Sequence, residues 1–551
     1  MLEPESDLVE FQEDHTLNHA TDSVYSMMGI INGLQTVADR SVLLGAVRGD
    51  LMTVTPIAST DLKNLAAFNY AAPNKYNEVS DYYAIINNCN YFIAKVDTAM
   101  QRRGTNLFLR EYAAAKSFRA WTYLQLVTNY GEVPFILEPL MTEKEARDAM
   151  NQPRKGIKEI CDSLIADLTP YVGINLPNYG TVNNVDAQFY FIPMRAILAD
   201  LCLWAGRYQE AAYWYHDFLT DQRSPILMSN ERSTWASPTQ YVAIYDSYNP
   251  TSTRAGTRGE VLCYIPMEER VFDGHVSDVP NVFNSTTENN YFYEMTASPA
   301  MARLSAAQIH CIEDKSATKT DTIYVPRVGF TSDSYVGDLR YQSNFRLRSS
   351  GTQNEFSELN SYVQTISKVN RTRIPLYRVT MLYLRYAEAL NRAGYPQSAF
   401  AVLKYGMCDE VIKARVDSVE RNRAGNLIYF DPNVYRLTDD GGRTITYGVH
   451  SLGSGDSHVN NYYVLPQPEQ ALATRQDTID YQIPLVEDLI INEMALEGAF
   501  EGNRYYDLMR VALRRGDAAY LADPVSQRGY EQNTALRTLL LDSKNWYLPL
   551  P

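Results

Sequence analysis

Apolar residues recur every three or four positions from Asn18 to about Leu219, and again from Ile374 to Lys404 and from Leu485 to Arg515. That period puts them on one side of a helix, so these stretches predict α-helices packed through an apolar stripe. Between Asp221 and Thr372 the texture changes to Ser, Thr, Asn, Asp, Gly and Pro, with aromatics at no fixed period. Such a stretch predicts long loops and short strands, and one this long inside a compact protein is usually functional. The expected layout is a single fold over 1–551, with an N-terminal helical repeat region over 18–221, a loop-rich insertion over 222–372 facing the ligand, and a C-terminal helical region over 373–551. A polar stretch near 439–460 reads as an excursion between helices.

Two passages look like repeat units. In Leu198 to Ala212 an apolar helix ends at Gly206, Tyr208 follows, and Ala211 and Ala212 open the next helix; Ala387 to Phe400 has the same grammar around Gly394, Tyr395 and Ala399. Glycine permits the turn, tyrosine fills the gap and alanine lets the helices approach, as in a tetratricopeptide repeat. The repeat period of about 34 residues is not kept between them, so large insertions separate the units, or they are two ordinary helical hairpins.

Composition narrows the classes. A chain of 551 residues with 45% hydrophobic and 21% charged residues has material for a core. Its 50 basic and 65 acidic residues give −15, which opposes binding to a phosphate backbone. The longest apolar stretches, such as Val24 to Val37, are interrupted by Ser26, Asn32 and Gln35, well short of the roughly 20 residues that span a bilayer. The start at Met1 has neither a basic nor an apolar leader region, which leaves a cytosolic chain or one whose leader has been removed. Cys89, Cys161, Cys202, Cys263, Cys311 and Cys408 lie far apart, with no Cys-x-x-Cys pair and no His at metal-ligand spacing, and most read as small core residues rather than zinc ligands. His15 and His19 stand one helical turn apart, but no third ligand is in view, so they read as a solvated helix and no metal or cofactor is expected. The nucleophile elbow, phosphate loop, zinc and dinucleotide motifs are absent from the sequence. Glu493, Glu497, Glu501, Arg504, Asp507 and Arg510 put opposite charges at helical spacing. They read as a salt-bridged helix face, against the alternative of a glycosidase carboxylate pair.

Three segments carry a resemblance. Glu111 to Pro134 contains Lys116-Ser117-Phe118-Arg119-Ala120-Trp121 and closes on Tyr130-Gly131-Glu132-Val133-Pro134. Arg373 to Asn391 ends in Tyr386-Ala387-Glu388-Ala389-Leu390-Asn391, and Ile491 to Arg510 holds Glu497-Gly498-Ala499-Phe500-Glu501-Gly502-Asn503-Arg504-Tyr505-Tyr506-Asp507-Leu508. Weaker echoes are Tyr82 to Val96, Gly337 to Tyr341 and the closing Trp546-Tyr547-Leu548-Pro549-Leu550-Pro551. In this order they resemble the SusD/RagB family of surface nutrient-binding lipoproteins of Bacteroidetes. Tyr377 and Thr380 depart from the family pattern, and the family's lipidated cysteine is not in the chain, whose first cysteine is Cys89.

The resemblance implies a mostly α, tetratricopeptide-like scaffold with a large loop-rich insertion containing short strands. It implies a non-catalytic binding protein, lipid-anchored at the outer-membrane surface, that hands a nutrient to a SusC-like TonB-dependent transporter. It also makes Arg119, Glu388, Glu497, Arg504, Asp507 and Arg510 structural, and it transfers no ligand residue.

Sugar recognition needs flat aromatic faces with Asn, Asp, Glu or Arg to bond hydroxyls. The loops offer Tyr70, Asn74 and Tyr76 before one helix, and Phe272, Asp273, Phe283, Asn284, Asn290, Tyr291, Tyr293, Tyr335 and Arg340 in the insertion. Tyr123, Tyr130, Tyr208, Tyr383, Tyr395 and Tyr505 belong to helices and are expected to serve packing. Of the 5 tryptophans only Trp235 is free in a loop, so a broad indole platform is missing. An oligosaccharide is the first expectation and an extended peptide, held through its backbone, the second. A cytosolic tetratricopeptide adaptor and a glycoside hydrolase complete the alternatives.

Overall fold

A computed structural model of the chain describes residues 20–182, 184–221, 261–268, 274–283, 293–307, 310–315, 320–325, 338, 345–349, 362–366, 368–369, 371–435 and 463–550. The fold is mostly helical. It opens with α1 (Ala20–Arg48), the short α2 (Thr60–Ala66), α3 (Val79–Lys95) and α4 (Leu109–Tyr130). Next come α5 (Glu143–Met150), α6 (Ile157–Leu168) and the hairpin of α7 (Met194–Trp204) and α8 (Tyr208–Asp221). Within the insertion lie α9 (Val279–Val282) and α10 (Pro299–Ala306). The C-terminal part contains α11 (Val379–Arg392), α12 (Pro396–Lys404), α13 (Asp409–Arg415) and α14 (Ser418–Ala424). It ends with α15 (Arg475–Glu497), α16 (Arg504–Arg515), α17 (Ala519–Ser526) and α18 (Thr534–Leu540).

Neighbours along the chain are neighbours in space. α3 packs on α4, α4 on α6 and α7, α8 on α11, and α11 on both α12 and α15, while α1 crosses back to touch α3 and α16. One apolar cluster runs through all of them, from Met27 to Leu548. The two hairpins share one turn. Gly206 at φ 78° lets Arg207 N–H bond the Cys202 carbonyl at 2.9 Å, and Gly394 at φ 93° lets Tyr395 N–H bond that of Leu390 at 3.0 Å. Both are helix ends closed by a left-handed glycine and a bond spanning six residues.

Every sheet among the described residues is a two-stranded antiparallel ribbon. The strand Val261–Pro266 pairs with Arg373–Arg378, so the two edges of the insertion close on each other beside α11. Met52–Val54 pairs with Met295–Ala297, which brings the segment after α1 against the insertion.

Two expectations change. The last long helix starts at Arg475, not Leu485, because Thr474 and Asp477 form a reciprocal N-cap and Pro484 is accommodated inside the helix. The charged ladder is not one helix face either. α15 stops at Glu497, the chain turns through Phe500 at φ 67° and Gly502 at φ 81°, and α16 begins at Arg504. Glycine is required at that corner, since a methyl group on Gly502 would lie 2.5 Å from the Val42 carbonyl oxygen of α1. The stretch near 439–460 falls outside the described residues, as do His15 and His19.

Candidate functional site

The six motif charges are buried, and all but Asp507, which pairs with Arg510 within α16, are paired across elements. Arg119 donates to Asn90 Oδ1 at 2.7 Å and to Asp167 Oδ2 at 2.8 Å. Arg504 grips both oxygens of Asp50 at 2.9 and 3.1 Å, and Glu497 meets Arg378 at 3.1 Å. Arg510 binds Glu388 with two N–H groups at 2.9 and 2.6 Å and Asp507 at 2.9 Å, and Arg514 adds a further 2.9 Å bond to Glu388. Burial alone would raise the Glu388 carboxyl, but the two arginines outweigh it and hold it at about 2. Glu501 is held at about 2 in the same way, with Arg378 and Lys368 overriding burial. Glu388 and Glu501, held ionised by these cations, do not suit the role of general acid in glycosidic hydrolysis.

The surface chemistry lies where α1 and α2 end. Arg528 reaches between them and donates to the carbonyls of Val47, Gly49 and Ala66, the partly negative ends of both helices. No carboxylate touches it among the described residues, and burial lowers its guanidinium to about 10. The chain then turns at Phe68, whose φ of 54° is a strained value for a side chain of that size, and presents Tyr70. Tyr70 lies near the fully buried Arg48, which is 4.4 Å over the Tyr505 ring, and the Tyr70 hydroxyl is buried with no hydrogen-bond partner among the described residues.

The remaining candidates divide. Asn74 builds the turn, with its amide donating to the Asp61 carbonyl at 2.9 Å and its oxygen accepting Tyr76 N–H at 3.0 Å. Tyr76 is 8% exposed and Phe283 is fully buried in the core, so Phe283 offers no face to a ligand. Tyr293 is half-buried and its carbonyl accepts from Thr55 Oγ1 at 2.9 Å. The fold therefore brings the loop with Asn74 and Tyr76 against the insertion segment with Phe283 and Tyr293, and Glu294 accepts Ser59 N–H at 2.6 Å across the same seam. Phe272, Asp273, Asn284, Asn290, Tyr291, Tyr335 and Arg340 lie outside the described residues.

Tyr70 lines a surface cavity of about 940 Å³, within the size range of small-molecule sites. Phe68, Tyr130 and Tyr547 supply its other aromatic walls, and Asn69, Glu132, Arg154, Lys544 and Asn545 its polar groups. The closing segment is strapped in place: Leu548 N–H bonds the Asn129 carbonyl at 2.8 Å, and Tyr505 Oη donates to the Trp546 carbonyl at 2.6 Å. Gly131, at φ 78°, permits the Tyr547 ring to lie on the backbone, because a Cβ there would be 2.9 Å from the ring. Tyr130, Tyr547 and Arg154 were not among the candidates. The visible signal was the Tyr130-Gly131 pair itself, whose glycine makes room for an aromatic from the other end of the chain.

A second cavity, of about 430 Å³, is lined by Ile174, Phe189, Met194, Phe218 and Leu262. Its cation, Arg195, is already engaged by Asp217 and Asp221 at 3.1 and 2.7 Å. Asn175, Asn184, Asp186 and Gln188 supply its other polar groups. Among the described residues no three acidic, His or Cys side chains gather as a metal site, and no helix is long and apolar enough to cross a membrane.

The model of the SusD family matches residues 344–551. A SusD-like protein P38 of Formosa agariphila is 23% identical over 343 residues, covering 60% of this chain and 61% of its own length. A SusD superfamily protein of Bacteroides vulgatus superposes with a TM-score of 0.60 at 13% identity, over 97% of this chain and 96% of that one. A SusD-like carbohydrate binding protein of Bacteroides fragilis gives 0.57 at 14% identity, over 91% and 88%. At these identities the likeness to the solved structures is one of fold.

Proposed function

From the premise that this chain is SusD/RagB-like in sequence and in fold, we propose that it is a non-catalytic binding protein that captures an oligosaccharide at the outer-membrane surface and passes it to a TonB-dependent transporter. The observation that carries the reading is the cavity of about 940 Å³ walled by Phe68, Tyr70, Tyr130 and Tyr547. Tyrosine faces stack on the apolar C–H side of a pyranose, and the amides of Asn69 and Asn545 with Arg154 and Glu132 reach its hydroxyls. The carbohydrate-binding description of the Bacteroides fragilis neighbour supports the same ligand class, and the family resemblance supports the partner and the lipid anchor.

Isothermal titration against panels of oligosaccharides and of peptide digests tests the ligand. Saturable heat with a glycan is expected, and Tyr547→Ala abolishes it. Saturation by peptides alone sinks the glycan reading in favour of its alternative. Release of reducing sugar from a bound oligosaccharide would overturn the non-catalytic part.

A further inference from the structure

The tyrosine groove carries a charge opposite to that of the chain. The whole sequence sums to −15, yet the described residues lining the groove set two cations, Arg154 and Lys544, against one carboxylate, Glu132. Both cations are exposed, and neither is in an ion pair among the described residues. Elsewhere the arginines are spent on carboxylates, as Arg119 is on Asp167, Arg378 on Glu497 and Arg504 on Asp50.

Strand pairing turns Arg154 toward the groove. Glu132–Pro134 and Arg154–Gly156 form an antiparallel ribbon in which Glu132 stands opposite Gly156, Val133 opposite Lys155 and Pro134 opposite Arg154. Side chains alternate across such a ribbon, so Glu132, Arg154 and Gly156 share one face while Val133 and Lys155 share the other. The first three line the groove. Val133 is instead fully buried, and the Lys155 ammonium lies 5.0 Å from the centroid of the Phe135 ring. Lys544 arrives from the closing strap, in the short helix Ser543–Trp546, which is fixed by Trp546 Nε1 donating to the Leu540 carbonyl at 2.7 Å.

We propose that the groove selects an acidic sugar, a uronate whose carboxylate pairs with Arg154 while Lys544 adds attraction from the strap. The proposal rests on the reading of the groove as a glycan site. A neutral sugar leaves the excess positive charge unanswered, and the chain's overall field repels an anion, so these local cations must supply the attraction. Arginine presents two parallel N–H donors that match a planar carboxylate. A sulfate ester carries the same charge in a tetrahedral group and fits that fork less well.

The test titrates the chain with a short oligogalacturonate, the same oligomer methyl-esterified at its carboxyls, a neutral galactan and a sulfated galactan. The uronide is expected to bind about tenfold more tightly than its ester, from one charge-assisted pair. In Arg154→Gln that advantage disappears with the thermal midpoint unchanged, and Arg154→Lys keeps part of it, since the charge stays and the fork is lost. Lys155→Gln, an equal change of charge on the opposite face of the ribbon, is the control and should bind as the unmodified chain does. Equal affinity for the uronide and its ester, or an advantage that survives Arg154→Gln, overturns the proposal and leaves the glycan reading intact. An equal loss in Lys155→Gln also overturns it, because the effect would then come from the general field. A midpoint several degrees lower in Arg154→Gln does the same, because the residue would then act through the fold. Tighter binding of the sulfated galactan than of the uronide overturns the choice of a carboxylate. If no sugar of the panel binds, both readings fall.

Discussion

Buried polar groups are treated differently in two regions of this molecule. Around α11, α15 and α16 two buried glutamates are fully paired: both oxygens of Glu388 accept from arginine, and both oxygens of Glu487 do so from Arg392, with Arg514 and Arg515 added, while Thr380 Oγ1, Asn391 Oδ1 and Asp507 Oδ2 have no partner among the described residues. Around the end of α4 the hydroxyls of Tyr70, Tyr82 and Tyr130 are buried and have no hydrogen-bond partner among the described residues. The first arrangement holds helices in register without help from a ligand. The second is a cluster of phenol groups left without partners among tightly packed rings.

The contrast breaks most visibly if the scaffold pairs are removed. Arg510→Leu strips Glu388 of two of its bonds inside the core and should lower unfolding free energy by about 3–5 kcal/mol, read as a lower urea midpoint. The double variant Glu388→Leu with Arg510→Leu should recover much of that loss, because no buried charge is left without a partner. A single-variant loss under about 1 kcal/mol would mean the pair is incidental.

Acid provides a second test. Glu388 and Glu501 are held at about 2, below their ordinary 4.5. A depressed carboxyl contributes its full stability above the unfolded pKa and loses it as pH falls toward the folded one. The thermal midpoint should therefore drop between about pH 5 and pH 2, and Glu388→Gln should flatten that slope while costing stability at pH 7. The groove tyrosines do not titrate in that window, so the acid loss belongs to the scaffold. A midpoint that stays level down to pH 2.5 contradicts it.

Gly131→Ala sits on the boundary between the regions. A Cβ there both forces a positive φ on an L-residue and meets the Tyr547 ring at 2.9 Å, for an expected cost of about 2 kcal/mol. Because Tyr547 must shift, glycan affinity should fall together with thermal stability. Loss of one without the other would show that the strap and the groove are independent.

What was legible in the chain follows the same division. The helical hairpins were readable because Gly206 and Gly394 announce their turns locally, within six residues. The ion pairs were not, because Arg504 finds Asp50 454 positions away and Arg510 finds Glu388 122 away, so an acidic and basic alternation at helical spacing looked like one helix face. Pro484 hid ten residues of α15 for a related reason, a local breaker overruled by packing. In the loops, aperiodic aromatics look alike whether they face core or ligand, and so Phe283 was grouped with Tyr70 although only Tyr70 reaches the groove. Tyr130 was read as packing, which its ring does. The state of its hydroxyl depends on what surrounds it in three dimensions, and no residue spacing encodes that.

The smallest effects give the finest comparison, between two tyrosines that differ in one bond. Tyr505 Oη donates to the Trp546 carbonyl at 2.6 Å inside the scaffold, whereas Tyr82 Oη has no partner among the described residues; both rings are almost fully buried. Removing a satisfied hydroxyl strands its acceptor and should cost about 1–2 kcal/mol in Tyr505→Phe. Removing an unpaired one takes away a desolvated group and nothing else, so Tyr82→Phe should lie within about 0.5 kcal/mol of the unmodified chain or slightly above it. Parallel urea titrations decide the matter. Equal losses in the two would mean that Tyr82 has a partner in solution, most simply an ordered water.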